Sequence, residues 1–198
     1  MNILLVSPKH PDTFWSFRHA LKFISKKSSG PPLGLLTLSS MLPGDWKRRL
    51  VDLNADSLMD NDILWADYVF IGAMSVQADS AAMVIQRCKD LSARIVAGGP
   101  LFTGDPDPYK HLDHLVLNEA EITFPQFLAD LKINRPKKIY QTREYADMRL
   151  SPPPDYTLIK ASKYAQLSIQ YSRGCPYNCD FCQITALLGR KVRVKTTG

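Results

Sequence analysis

The segment MNILLVSP (residues 1–8) opens the chain with a continuous apolar run at residues 3–6. A strand of a parallel sheet is covered on both faces, so its side chains are apolar without alternation. The run therefore predicts a buried parallel strand. No basic leader precedes it and no small-residue cleavage site follows it, so we do not interpret it as a signal peptide. Because no apolar run reaches the length of a membrane span, a cytoplasmic protein is expected.

Further strands and helices alternate along the chain after this first strand. Short apolar or β-branched runs predict strands at residues 49–53, 68–73, 94–97 and 114–117. Helical spacing predicts helices at residues 35–42, 80–91 and 121–131. This order is typical of a doubly wound α/β domain, Rossmann- or flavodoxin-like, with a five-stranded parallel sheet. We predict this domain at residues 1–150, since the proline-rich stretch 151–155 interrupts regular structure.

Ligands of doubly wound domains bind beyond the carboxyl ends of the strands. In this chain, that rule selects the loops at residues 7–15, 74–77, 98–103 and 118–121. Small and polar residues in these loops suit a large ligand, because glycine lets backbone approach it and polar groups hydrogen-bond it. A plain tight turn is the alternative for the glycine pair. The candidate residues are Ser75, Gln77, Gly98, Gly99 and Pro100.

Three cysteines lie close together near the end of the chain, in Arg-Gly-Cys-Pro-Tyr-Asn-Cys-Asp-Phe-Cys (173–182). The CxxxCxxC spacing brings three soft thiolates onto one loop, which suits an iron-sulfur cluster with one iron lacking a protein ligand. Structural zinc is the alternative, but it favours four ligands and a second cysteine pair is missing. Cys88 falls on the apolar face of a predicted helix, and we interpret it as a packing residue.

The residues before the cysteines, 167–171, alternate at period two and predict a strand. The cysteine loop would then follow the carboxyl end of a strand, as catalytic loops of β/α barrels do. We therefore assign residues 151–198 to a linker and the first strand and cluster loop of a barrel. Since that strand would have an unpaired edge, we expect residues 165–198 to be poorly ordered or loosely packed.

Composition excludes some classes of function. The chain has 45% hydrophobic residues and a net charge of +6, but its basic residues are scattered. Because no basic stripe is interleaved with aromatic residues, nucleic-acid binding is not predicted. In a cytosolic protein, clustered cysteines indicate metal rather than disulfides.

The cysteine loop resembles the CxxxCxxC signature of the radical S-adenosylmethionine (radical SAM) superfamily, including the aromatic Phe181. The resemblance implies a 4Fe-4S cluster on Cys175, Cys179 and Cys182. S-adenosylmethionine would bind the open iron with Phe181 near its adenine. An electron donor such as a flavodoxin or ferredoxin is implied as well. Loop packing is the alternative role for Phe181.

The upstream region is similar to the cobalamin-binding domain of one branch of that superfamily, and resembles the subgroup of hopanoid C-2 methylases. The stretches that carry this likeness are 2–8, 12–17, 31–36, 51–54, 97–103, 119–121 and 170–175. Cobalamin is therefore an implied cofactor, with Glu119 joining the loop residues named above as contacts. The histidine motif that often ligates cobalt is absent, so we expect no protein histidine on the metal. Four histidines are interpreted as surface or packing residues: His10, His19, His111 and His114.

Two positions depart from the family pattern. Asn118 precedes Glu119 where the family has glycine, and Gln183 follows the third cysteine where an acidic residue is common. Because asparagine adopts positive φ less freely than glycine, Asn118 is expected to affect its turn.

The resemblance implies a cobalamin-dependent radical SAM enzyme that transfers a methyl group to an unactivated carbon of a small or lipid-like substrate. Most of the catalytic barrel would be absent from this chain, so no catalytic residue is assigned. Two alternatives remain open. The first alternative to this enzyme is a non-catalytic module that carries cobalamin or an iron-sulfur cluster. The second is a plain doubly wound domain that binds another nucleotide. The absence of a G-x-G-x-x-G loop after the first strand disfavours a dinucleotide.

Overall fold

A parallel β-sheet forms the centre of the protein. The computed structural model describes residues 1–196, and at Trp15 the backbone alone. Within that range, the sheet has six strands in the order β2-β1-β3-β4-β5-β6. Helices cover both of its faces, which confirms the predicted doubly wound α/β class. The strands are β1 (Asn2–Ser7), β2 (Lys47–Asp52), β3 (Tyr68–Gly72), β4 (Ile95–Gly98), β5 (His114–Val116) and β6 (Ile139–Tyr140).

The prediction of five strands is one strand short. β6 has only two residues and pairs in parallel with β5, placing Ile139 beside Leu115 and Tyr140 beside Val116. Two residues are too few to show a period, so no pattern in the sequence marks them.

Helices connect the strands. Three of them, α2, α4 and α6, confirm predicted helices, while the other three have only five or six residues and were not predicted. Such short helices complete less than two turns, so helical spacing cannot reveal them. The helices are α1 (Arg18–Phe23), α2 (Leu33–Ser40), α3 (Asp60–Trp65), α4 (Ala78–Asp90), α5 (Pro100–Gly104) and α6 (Ala120–Lys132).

Apolar packing holds the sheet from both sides. β1 is paired on both edges, with Leu5 opposite Leu50 of β2 and Phe70 of β3, and its residues 3–6 are fully buried. On one face the core includes α4, where Cys88 is fully buried as predicted and burial raises its thiol pKa to about 11. On the other face, Phe127 of α6 packs against aromatic rings. Burial of apolar side chains on both faces of the sheet is the main contribution to the stability of such a domain.

The cysteine-containing end of the chain differs from its prediction. Residues 167–171 form no strand, so that prediction is wrong. A two-residue strand, β7 (Ser172–Arg173), instead pairs antiparallel with β8 (Arg193–Val194), and α7 (Ile184–Leu188) lies between them. Ile169 is 84% exposed, so the apolar residues of this alternating stretch do not pack against the sheet domain as those of a half-buried strand would. Residues 197 and 198, the end of the predicted second unit, lie outside the described residues.

The proline-rich stretch is attached to the sheet domain. Asp155 donates its backbone N–H to Leu36 O (3.0 Å) and accepts a hydrogen bond from the Ser39 hydroxyl (2.9 Å). Ala165 N–H donates to Ser28 O at 3.0 Å. Residues 151–165 therefore run along the first domain, and the division at residue 150 stays a prediction.

Candidate functional site

A cavity of about 780 Å³ opens at the carboxyl edge of the sheet. β2 and β3 lie on opposite sides of β1, so the strand order changes direction at this point and leaves a crevice. The loops after β1 and β2 form most of the wall, and residues near Ser28 close it. Polar lining residues include His10, Thr13, Ser28, Asn54 and Ser57. Of these, only His10 and Thr13 lie in a predicted ligand loop, because the wall after β2 carries no motif.

A buried carboxyl stabilises the loop after β2. Asp52 is 2% exposed and accepts hydrogen bonds from Asn54 N–H (3.0 Å) and the Tyr164 hydroxyl (3.1 Å). Burial raises the pKa of Asp52 above its ordinary value of 3.8, although the hydrogen bonds from Asn54 and Tyr164 act in the opposite direction. Burial and the charge of Asp52 also raise the pKa of Tyr164. Through these hydrogen bonds, Asp52 connects the loop after β2, which lines the cavity, to Tyr164.

Gln77, predicted to bind a ligand, lies inside the protein. It is 3% exposed, its Nε2 donates to Pro8 O, and its Oε1 accepts the Met74 N–H at 2.8 Å. Its amide therefore joins the loops after β1 and β3. Ser75 is exposed, and its hydroxyl lies 3.4 Å from Gln183 Oε1. Gln183 belongs to the cysteine segment, the stretch from β7 to β8 that contains the three cysteines. Cobalamin binding by these two residues stays a prediction.

The two glycines at the end of β4, Gly98 and Gly99, are required by the fold. A Cβ at Gly98 would lie 2.6 Å from Val116 O, and one at Gly99 would lie 2.9 Å from Ala73 O. Gly99 also has a φ of +98°, which side chains disfavour. Pro100 is the first residue of α5. The close approach of neighbouring strand ends thus explains both glycines, and cobalamin contact by Gly98, Gly99 and Pro100 stays a prediction.

The three cysteines lie on the loop from β7 into α7. All are free of disulfides; Cys175 and Cys182 are half-buried and Cys179 is exposed. Cys182 N–H donates to Cys179 O (3.1 Å), and Cys175 N–H donates to Gly189 O (3.0 Å). Among residues 1–196, no three histidine, cysteine or acidic side chains are grouped closely enough to hold a metal ion. Three free thiols on one loop are ligands of the kind that a soft metal prefers.

Two further features of this loop bear on its predictions. Phe181 is 93% exposed, so it is available to a ligand, and the alternative of loop packing is not observed. Gly174 has a φ of +91°, and a Cβ there would lie 2.2 Å from Lys191 O. The glycine before the first cysteine is therefore needed for the loop to pass residue 191.

Beside the cysteine loop, two glutamates and two arginines form a buried charge cluster. Glu119 directly precedes α6, and Glu121 lies in the first turn of that helix. Glu119 accepts two hydrogen bonds from Arg193, both 2.7 Å, and Glu121 accepts two from Arg173, at 2.7 and 2.8 Å. Glu119 was predicted to contact cobalamin, but here its carboxylate is engaged by Arg193. That cofactor role stays a prediction.

The charge cluster shifts two pKa values. Burial acts to raise the pKa of Glu121, but hydrogen bonds and charge from Arg173 outweigh it and hold the pKa below its ordinary value. Hydrogen bonding to Glu119 raises the pKa of Arg193. Both shifts favour the charged forms of the Glu121 carboxyl and the Arg193 guanidinium. Glu121, Arg173 and Arg193 were not predicted, and the only local signal is a carboxylate in the first helical turn, which the helix dipole favours.

Asn118, the departure from the family pattern, keeps a left-handed turn. Its φ is +64°, a region in which asparagine is tolerated better than most residues. The Asn118 N–H donates to Thr103 Oγ1 (2.9 Å), and its Oδ1 accepts the Thr142 N–H (3.1 Å). The side chain thus adds an anchor that glycine could not provide.

Three histidines, His10, His19 and His111, are exposed, and His114 is half-buried. The ring Nδ1 of His114 lies 2.7 Å from Lys137 O, and the ring packs near Tyr68 and Phe127, which confirms a packing role. His10 lies at the cavity, where its N–H donates to Asn54 Oδ1 (2.8 Å). The expectation that no histidine ligates cobalt stays a prediction.

No helix in residues 1–196 combines the length and the apolar character that crossing a bilayer requires.

Comparison with known proteins finds sequence similarity to methyltransferases. No protein-family model matches it. It is 38% identical over 197 residues to an uncharacterized methyltransferase of Synechocystis, covering 98% of this chain and 37% of that protein. It is 37% identical over 199 residues to the hopanoid C-2 methylase of Rhodopseudomonas palustris, covering 98% and 38%. Identity is 30% over 173 residues to the bacteriochlorophyllide d C-8(2)-methyltransferase of Chlorobaculum tepidum, covering 82% and 37%. The chain thus spans well under half the length of these relatives.

Proposed function

We propose that this chain is the cofactor-binding part of a cobalamin-dependent radical SAM methyltransferase. The observation that carries the proposal is the position of the cysteine loop. Ser75 follows β3 and reaches Gln183, α5 follows β4 and packs near α7, and Glu121 follows β5 and binds Arg173. These contacts attach the segment that carries the three cysteines to the edge of the sheet at which doubly wound domains bind ligands, which supports the proposal. Similarity to named methyltransferases supports methyl transfer as the reaction.

Cys175, Cys179 and Cys182 would hold a 4Fe-4S cluster as thiolates. When bound, this cluster supplies an electron to S-adenosylmethionine at its open iron, so that hydrogen can be removed from an unactivated carbon. Cys179 is exposed, so its thiol is directly accessible to a metal from solvent. Phe181, exposed on the same loop, would cover the adenine. A flavodoxin or ferredoxin would donate the electron.

Cobalamin would bind at the same edge and donate the methyl group. The chain fits this cofactor in part. The cavity presents hydroxyl groups, including those of Thr13 and Ser57, that suit a nucleotide tail. Of the proposed contacts, Ser75 and Pro100 are exposed and Gly98 and Gly99 are half-buried beside neighbouring strand ends. Gln77 and Glu119 would first have to leave their present partners.

The acceptor would be a small or lipid-like molecule, which agrees with the name of the hopanoid methylase relative. A cytoplasmic location would suit a cluster with free thiols. Residues 1–150 would form the cobalamin domain, and residues 151–198 the linker and the start of the radical SAM domain.

The test is anaerobic reconstitution with iron and sulfide. The wild-type chain is expected to bind about four iron atoms, and Cys179→Ala is expected to lose them. Cys88→Ala is the matched control, since Cys88 is fully buried in the core and distant in sequence from the loop. One zinc per chain with no iron uptake would contradict the proposal.

A non-catalytic carrier is the second candidate function. In the described part of the chain, residues beyond the sheet domain form one antiparallel strand pair rather than a barrel. Cleavage of S-adenosylmethionine by the reconstituted chain separates the two, because a carrier would hold the cluster without producing 5′-deoxyadenosine. Cobalamin titration completes the test, and an imidazole-ligated spectrum would contradict the expectation about histidine.

A further inference from the structure

We propose that Glu119, Glu121, Arg173 and Arg193 form a clamp that positions the cysteine loop on the sheet domain. In this view the two glutamates are positioning residues for the loop rather than contacts for a cofactor. The positioning itself is independent of any metal, and only its consequence for iron binding rests on the proposed function.

The first observation is where the arginines lie in the sequence. Arg173 is in β7, two residues before Cys175, and Arg193 is in β8, directly opposite Arg173 in the strand pair. The cysteine loop and α7 span the interval between them. Glu119, directly before α6, and Glu121, in its first turn, therefore hold both ends of the segment that carries all three thiols.

The second observation is the geometry of the pairs. Each arginine directs two N–H groups at the two oxygens of its glutamate, with all four distances between 2.7 and 2.8 Å. Paired contacts of this kind fix orientation as well as distance. Arg173 also lies 3.7 Å from Glu119, which joins the two pairs into one network. Glu119 further accepts the Ala146 N–H, and Arg193 donates to Ala146 O.

The third observation is burial. The side chains of Glu119 and Glu121 are 2% and 7% exposed, and those of Arg173 and Arg193 are 12% and 15% exposed. Removing one partner would leave a buried charge without compensation, so the arrangement resists partial opening. Negative charge at the start of α6 is also favoured by the helix dipole.

The rest of the cysteine loop has a weaker attachment to the sheet domain. Phe181 and Tyr177 are 93% and 72% exposed. Hydrogen bonds such as Cys175 N–H to Gly189 O stay within the segment. The contact from Ser75 to Gln183 is long, at 3.4 Å. Apart from the packing of α5 near α7, the glutamate–arginine pairs are therefore the main contacts that set the position of the cysteine loop relative to the sheet edge.

The test compares local and global opening by hydrogen–deuterium exchange of the 198-residue chain. Glu121→Gln removes the charge of the carboxylate while keeping its size. We expect amide exchange in residues 174–192 to rise roughly tenfold, while amides of β1 and β3 stay unchanged. Arg173→Gln is expected to give the same pattern, and the double variant little more, because both disrupt one interaction. Glu144→Gln, at an exposed position, is the matched control.

Conservative variants separate positioning from simple folding. Glu121→Asp keeps the charge, so it is expected to restore part of the protection that Glu121→Gln loses. Arg193→Lys keeps charge but cannot make the paired contact, so it is expected to loosen the loop. Unchanged exchange in residues 174–192, or an equal rise in loop and sheet, would overturn the clamp.

Iron content provides a second readout. After reconstitution, Glu121→Gln is expected to retain less iron than the wild type, and Glu121→Asp to recover part of it. Wild-type chain that binds no iron would refute the proposed cluster, yet the exchange result would still decide whether the clamp exists. Full iron content in Glu121→Gln with a loosened loop would refute the role of the clamp in metal binding.

Discussion

The sheet domain and the cysteine segment are held by different forces. In β1, residues 3–6 are fully buried on both faces of the sheet. In the cysteine segment, large apolar side chains such as Phe181 are exposed, and two glutamate–arginine pairs make the buried contacts. Apolar burial is non-directional and depends little on pH, whereas ion pairs depend on orientation and on protonation. The comparison predicts that the two regions respond differently to the same kind of change.

The largest effect is expected from Phe127→Ala. This side chain is fully buried, with ring centroids 5.8 Å from Phe124 and 5.6 Å from Tyr140. Its loss should lower the free energy of unfolding by about 3–5 kcal/mol, measured by urea denaturation. Phe181→Ala is the matched control in the cysteine segment and should change that free energy by less than about 0.5 kcal/mol. An equal loss of unfolding free energy in the two variants would contradict the view that apolar burial stabilises the sheet domain more than the cysteine segment.

Apolar burial is also what made the sheet predictable. A run such as residues 3–6 needs no knowledge of distant partners, because any strand covered on both faces has this composition. By contrast, residues 167–171 alternate correctly for a strand, but no strand in residues 1–196 pairs with them. β6 pairs well yet has two residues and no pattern. A strand therefore depends on a partner as well as on its own sequence.

The same distinction explains what was found of the candidate site. The cysteine spacing is local, so it could be read directly. Glu121 and Arg173 are 52 residues apart, and Glu119 and Arg193 are 74 apart. Nothing in either neighbourhood indicates the other, and only the fold brings them together. Gln77 and Glu119 were correctly placed in loops at the carboxyl edge, but whether a polar side chain faces a ligand or the protein is decided by tertiary packing.

A second, intermediate effect is expected from Gly174→Ala. The backbone there is left-handed, and the new Cβ would collide with Lys191 O. Such strain costs about 1–3 kcal/mol and should be confined to the cysteine loop. The expected result is faster labelling of the three thiols by a disulfide reagent, with unfolding of the sheet little changed. Gly34→Ala is the control, since nothing lies within 4 Å of a Cβ there and it lies in a helix. Similar labelling in both variants would contradict the prediction.

The smallest effect concerns pH and has opposite sign in the two regions. Interaction with Arg173 holds the pKa of Glu121 below its ordinary value of 4.5 against the effect of burial. Its contribution to stability is therefore present above pH 4.5 and is lost as pH falls through the lowered pKa. Burial raises the pKa of Asp52 above 3.8, so its ionised form costs stability, and that cost disappears as pH falls.

Urea denaturation over about pH 3 to 7, a range that includes the ordinary carboxyl pKa values, can measure the sign of both pH effects. Each neutral variant is compared with the wild type at every pH. The advantage of the wild type over Glu121→Gln should shrink as pH falls. For Asp52→Asn, the wild type should gain relative to the variant as pH falls. Parallel trends for the two variants would contradict the assignment of different forces to the two regions.

The central claim is that three cysteines on this loop hold a cluster with one iron open to S-adenosylmethionine. The most direct measurement is electron paramagnetic resonance of the reconstituted and reduced chain, before and after S-adenosylmethionine is added. The claim predicts a 4Fe-4S signal whose shape changes when S-adenosylmethionine binds, and no such signal in Cys179→Ala. A signal that does not respond to S-adenosylmethionine, or a chain that binds zinc and gives no signal, would contradict it.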